Sequence, residues 1–143
     1  MPTYKAPLQE YRFLLRDTFN VEQYAALPGF RDAPLDVVDQ ILDEAAKLAE
    51  EVLQPLNQIG DIEGCKLENG VVTTPKGFKE AYKTLVEGGW PALVADPAFG
   101  GQGLPNALGV IFNEMVSSAN MAFGMYPGLS HGAYSALLHH GAD

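Results

Sequence analysis

After Lys83 the chain carries no lysine or arginine, and from Gly88 to Asp143 its only charged side chains are Asp96, Glu114 and Asp143. Residues 1–75 hold six basic and thirteen acidic residues, whereas 76–143 hold three and five. A helical surface that meets water normally carries charge on its outer face. A long segment this poor in charge exposes apolar patches unless another layer of protein covers them. The second half is therefore expected to lie against protein outside this sequence, and the chain to be an incomplete piece of a larger one.

With 47% apolar and 19% charged residues, the chain can bury enough surface to offset backbone entropy and is not a disordered polymer. Its net charge of -9 repels phosphate backbones and anionic lipid, which argues against nucleic-acid or membrane partners. No apolar run approaches the roughly 18 residues that a membrane span needs, and Met1 to Asp17 lacks the continuous apolar core of a targeting segment. The single cysteine, Cys65, fits a reducing, cytoplasmic setting and reads as a free thiol beside a turn.

Hydrophobic spacing predicts an all-α fold. Residues 1–34 form an arm with a short helical stretch around Leu8–Leu15, and Phe19, Val21, Tyr24, Leu27 and Phe30 serve as anchors. With little core of its own, the arm should lie across other helices. The remaining domain, residues 35–143, opens with a helix over about 35–56, whose stripe includes Leu35, Val38, Leu42, Ala45, Ala49 and Leu53. A polar connection through Asp61 and Glu63 leads to a turn at Glu68-Asn69-Gly70. Thr74-Pro75 predicts the start of a second helix with Phe78, Ala81, Tyr82, Leu85 and Val86 inward, ended by Gly88-Gly89. A third helix is expected over about 105–119, and a fourth over about 122–140 with a break at Pro127-Gly128. Gly124, Gly128 and Gly132 recur every four residues, a spacing that suits close approach by another backbone or a ligand.

Local chemistry is sparse. Phe99-Gly100-Gly101-Gln102-Gly103 resembles a phosphate cradle only in its glycines, since the lysine and hydroxyl of a nucleotide-binding loop are missing, so it reads as a tight turn. His139 and His140 are adjacent and diverge, His131 stands apart, and no metal set forms. Ser130-His131 lacks an orienting acid. Glu114, alone in an apolar helix, is either a buried acid or that helix's wet-side residue, and the second reading is preferred.

In combination, several strings resemble the N-terminal helical domain of the flavin-dependent acyl-CoA dehydrogenases. They are Leu53-Gln54-Pro55-Leu56-Asn57, Gly60-Asp61-Ile62-Glu63-Gly64, Gly77-Phe78-Lys79-Glu80-Ala81-Tyr82, Glu87-Gly88-Gly89-Trp90, the loop Phe99 to Pro105, Ala119-Asn120, Tyr126-Pro127-Gly128-Leu129 and His140-Gly141. Tyr4-Lys5-Ala6-Pro7-Leu8 and Arg12-Phe13-Leu14 resemble the N-terminal extension of a longer bacterial subgroup, which includes enzymes for methylthio-substituted propanoyl-CoA.

The resemblance implies a three-domain parent, of which the middle β-domain and the C-terminal helical domain are absent here. It also implies FAD as cofactor, acyl-CoA oxidised to its 2,3-enoyl form, an electron-transfer flavoprotein as acceptor, and a dimeric or tetrameric homo-oligomer. The family's catalytic glutamate matches no residue of this chain, Glu114 included, so the piece alone is expected to be inactive and to hold no flavin. By the same resemblance, Met125, Tyr126, Gly128, Leu129 and Ser130 line the acyl end of the substrate pocket, although Met and Leu at helical spacing also fit plain core packing. A stand-alone helical interaction module, or an acyl-CoA oxidase on the same scaffold, would carry the same features.

Overall fold

The apolar stripe that opens the second region forms helix α2 (Leu35–Lys47), which starts directly after Pro34 and buries Val38, Leu42, Ala45 and Ala46. The computed structural model describes residues 3–141. Met1, the chain end at Ala142-Asp143 and the charge of Asp143 lie outside that range. The helix does not stop near residue 56. It widens into a π-helical segment, Leu48–Leu53, and resumes as α3 (Gln54–Glu63). Proline at 55 cannot donate to the carbonyl of Glu51, and its ring crowds that carbonyl. The wider turns upstream relieve this crowding without ending the helix. The expected polar connection through Asp61 and Glu63 is therefore the last turn of α3.

Before α2, the arm contains α1 (Leu8–Phe13), a π-helical continuation Leu14–Thr18 and a 3-10 turn Val21–Tyr24. It lies along α2, as its spacing predicts. Tyr11 and Leu15 are buried, and three cations of the arm meet acids on α2 and the π segment. Arg12 Nε lies 3.1 Å from Asp39 and its Nη2 2.7 Å from Asp43, Arg16 pairs with Asp39, and Lys5 pairs with Glu50. The amide of Ala6 also donates to Glu50, at 2.9 Å. The later anchors differ from expectation: Phe19, Tyr24 and Leu27 are exposed, and Tyr24 packs on Phe30 with ring centroids 5.7 Å apart.

A two-stranded antiparallel hairpin, β1 (Lys66–Glu68) and β2 (Val71–Thr73), adds a small strand element to the otherwise helical fold. Asn69 and Gly70 have φ of 51° and 79°, which is the turn that a two-residue hairpin requires. Helix α4 spans Phe78–Glu87, three residues later than Thr74-Pro75 suggests, because Pro75 to Gly77 form a separate turn that precedes it. Phe78, Ala81 and Leu85 are buried, whereas Val86 is exposed.

Helix α5 (Asn106–His140) packs on α2, the π segment and α3. It contains one break. Asn120 has φ -160° and ψ 86°, and helical geometry resumes beyond it. The break expected at Pro127-Gly128 is not there, since Pro127 sits inside continuous helix. The cause is a side chain. Asn120 Oδ1 accepts from the Phe123 amide at 3.0 Å, capping the second half of α5, while its Nδ2 donates to the Leu53 carbonyl at 3.1 Å. The break in α5 is thereby fastened to the π-to-α junction that Pro55 imposes. Asn120 is the one buried polar residue among the described residues.

Candidate functional site

Two grooves flank the second half of α5. The first, ≈ 500 Å³, lies between the 90–101 loop and the two halves of α5, and Trp90 stacks on Phe112 in its wall with centroids 4.7 Å apart and planes 6° from parallel. The loop is rigid for a local reason. The amides of Gly101, Gln102 and Gly103 donate to the carbonyls of Asp96, Ala92 and Ala95. The Asp96 side chain accepts from Ala98, and the Asp96 amide donates to the Tyr134 hydroxyl at 2.8 Å. A Cβ on Gly101 would meet the Ala95 carbonyl oxygen at 2.0 Å, so only glycine fits there. The loop is thus the tight turn expected of it.

The second groove, ≈ 560 Å³, lies between the hairpin, α4 and the second half of α5. Its floor is an aromatic cluster in which Phe78 packs edge-to-face on two neighbours. Phe78 meets Phe123 at 5.7 Å and Tyr126 at 6.1 Å between centroids, and Tyr82 meets Phe123 at 6.5 Å. Cys65, a free and exposed thiol, lies 3.3 Å from the Tyr126 hydroxyl. That hydrogen bond and partial burial raise the Tyr126 hydroxyl above the ordinary tyrosine range.

The five residues expected to line an acyl pocket do not converge within this chain. A helix turns by 100° per residue, so positions 125–130 wrap its whole circumference. Tyr126 lines the second groove. Gly128 and Ser130 line the first. Met125 and Leu129 line neither; they are 69% and 80% exposed and share an outward face with Met121, one turn before Met125. Gly128 and Gly132 face open space, while a Cβ on Gly124 would sit 3.1 Å from Val116. Asn120 is the residue that sequence reasoning missed as an organiser. Its signal was a cap-forming type just ahead of a helical stretch whose start was set one residue too late.

Glu114 is exposed and belongs to the wet side of its helix. Its neighbourhood still shapes the arm. Burial, the adjacent Tyr4 hydroxyl and Glu114 all push the Tyr11 hydroxyl well above the ordinary tyrosine range. Among the described residues no group of three His, Cys, Asp or Glu can hold a metal. Among the described residues no helix is long and apolar enough to cross a membrane. A flavin dinucleotide needs donors for its pyrophosphate. The first groove offers no lysine or arginine, and the loop beside it has already paired the amides of Gly101, Gln102 and Gly103 internally. These residues do not fit a flavin dinucleotide by themselves.

Residues 37–143 match the family model described as acyl-CoA dehydrogenase, N-terminal domain, and the chain belongs to the acyl-CoA dehydrogenase family. Its helical architecture is the one expected of that domain. Among relatives, the 3-methylmercaptopropionyl-CoA dehydrogenase of Ruegeria pomeroyi is 39% identical over 141 residues, covering 99% of this chain and 24% of that protein. The butyryl-CoA dehydrogenase of Syntrophomonas wolfei is 27% identical, covering 98% and 23%. The broad-specificity linear acyl-CoA dehydrogenase FadE5 of Mycobacterium tuberculosis is 26% identical, covering 98% and 23%. The chain spans about a quarter of the length of these relatives.

Proposed function

We propose that this chain is the N-terminal arm (1–34) and helical domain (35–143) of an FAD-dependent acyl-CoA dehydrogenase of the longer bacterial subgroup, and that it supplies one wall of the acyl pocket. One observation carries the reading: in a chain of this family, the second half of α5 turns an uncharged face outward. On it Met121, Met125 and Leu129 are exposed, and Gly128 and Gly132 leave open space beside them. Methionine and leucine give such a wall an adaptable apolar surface, and the glycines set its depth. The wall aligns the acyl chain and excludes water; it moves no proton. In this reading Tyr126 and Ser130 border the pocket at its edges, and FAD, the catalytic base and the electron-transfer flavoprotein contacts belong to other parts of the parent.

Two of the relatives, named for 3-methylmercaptopropionyl-CoA and butyryl-CoA, favour a short acyl-CoA as substrate, with 3-methylmercaptopropionyl-CoA the first to test. The full-length gene product, titrated without oxygen, should lose its flavin absorbance on adding that thioester or butyryl-CoA and should yield the enoyl product. Gly128→Leu should raise KM for the longer thioesters more than for the shortest. A flavin that no acyl-CoA bleaches would exclude the reading. The same outward face would also serve an interaction module without catalysis, and that titration separates the two.

A further inference from the structure

All six residues of the β1–β2 hairpin are exposed, Leu67, Val71 and Val72 among them. Two strands of three residues have little stability by themselves, and both edges of this sheet are open. The two edges differ. Val72, Thr73 and the adjoining Thr74 line the groove against α4, whereas no residue of β1 lines either groove, which leaves β1 as the outward edge. The register pairs Glu68 with Val71, Leu67 with Val72 and Lys66 with Thr73. In a two-residue hairpin the pair flanking the turn exchanges its hydrogen bonds, and the next pair does not. The amide and carbonyl of Leu67 therefore point away from β2, toward the free edge, where nothing among the described residues takes them up.

We infer that β1 pairs with β1 of a second copy of this chain, antiparallel and centred on Leu67, to make a four-stranded sheet across a twofold axis. The sequence of the strand is complementary to itself in that register alone. Leu67 meets the partner's Leu67, and its two outward groups exchange two hydrogen bonds with the partner's own. Lys66 falls opposite the partner's Glu68, and Glu68 opposite the partner's Lys66, so two opposite-charge pairs form on one face. On the other face Val72, Leu67, the partner's Leu67 and the partner's Val72 line up as one apolar row. Any slip of one residue flips the strand's faces and separates these charges. An open edge is also the kind of surface that invites such pairing. The contact rests on the hairpin alone and stands or falls independently of the acyl pocket.

Residues opposite one another in a hydrogen-bonded antiparallel pair have Cα atoms about 5.5 Å apart, within disulfide reach. In a Cys65→Ser background of the full-length protein, Leu67→Cys should give a disulfide-linked dimer on mild oxidation, whereas Glu22→Cys, on an exposed turn of the arm, should not. Lys66→Glu should weaken association or slow that cross-linking roughly tenfold, since it replaces two opposite-charge pairs with two like-charge pairs. Lys66→Glu with Glu68→Lys should restore it. An unchanged circular dichroism melt in each variant keeps a folding defect from imitating the loss. Absence of the Leu67→Cys dimer, cross-linking equal to that of Glu22→Cys, or failure of the charge swap to rescue would overturn the inference.

Discussion

The two halves of α5 share one helix and one poverty of charge, yet they meet different surroundings. Before Asn120, the face carrying Leu108, Phe112, Met115, Val116 and Ala119 is buried against α2, the π segment and α3. Beyond Asn120, Phe123 is the only buried residue among the described ones, while Met121, Met125, Leu129 and Leu137 are each more than 60% exposed. Missing charge therefore has two meanings in one sequence. In the first half it marks surface that the chain itself covers, and in the second a face that this chain leaves open. The expectation that everything after Lys83 needs outside shelter was too broad, because α2 and α3 shelter the first half.

The largest effect should come from the residue that docks the second half onto α4. Phe123 is fully buried and touches Phe78, Tyr82 and Tyr126, so Phe123→Ala should cost about 3–5 kcal/mol in urea unfolding. Loss below about 1 kcal/mol would mean that the second half is not docked at all. Asn120→Ala comes next, at about 2–3 kcal/mol, because it strands the Leu53 carbonyl and the Phe123 amide together. Hydrogen exchange should then rise at residues 121–126 well before it rises at 108–116. Uniform acceleration along α5 would show that the two halves open as one.

The arm supplies a gentler contrast, since ion pairs as well as packing hold it. Arg12→Ala should cost about 1 kcal/mol and remove part of the salt sensitivity of unfolding. The same arm should respond to acid. Burial pushes the Glu50 carboxyl up, but Lys5 and the Ala6 amide more than offset it, so its folded pKa lies below the ordinary value of 4.5. Its contribution is therefore fully present above that value and is lost as pH falls through the lower folded one. Glu50→Gln should flatten this acid limb, and an unchanged limb would remove Glu50 from the account. The smallest effect on stability belongs to Leu129→Lys, within about 0.5 kcal/mol in this chain, because the side chain touches little. Binding of an apolar-surface dye should nevertheless fall, and a full-length parent should lose acyl-CoA turnover if the wall reading holds.

Much of the fold was legible because periodicity is a local signal. The stripe of α2 and the inward face of the first half of α5 follow from residues three and four apart, and the turn at Asn69-Gly70 follows from residue types that tolerate positive φ. The five residues expected to line a pocket stand together only as a string. Positions 125–130 sit together in the sequence, but helical rotation sends Tyr126 to one groove, Gly128 and Ser130 to another, and Met125 and Leu129 outward. Proline misled at 127, where a break was expected and the helix continues. At 55 and at 127 it removes one hydrogen bond, and whether the helix ends, widens or continues depends on what packs beside it.

By itself, the sequence determined most of the helical stretches, most of the apolar faces, where the turns fall and that charge becomes sparse after Glu87, since each of these is written in residues close together along the chain. Tertiary structure alone decided that α5 breaks at Asn120 and that the break is tied to Leu53, 67 residues away. It also decided which uncharged face is covered. A buried amide chooses its partner by where two distant backbones run out of hydrogen bonds, and no local pattern records that meeting.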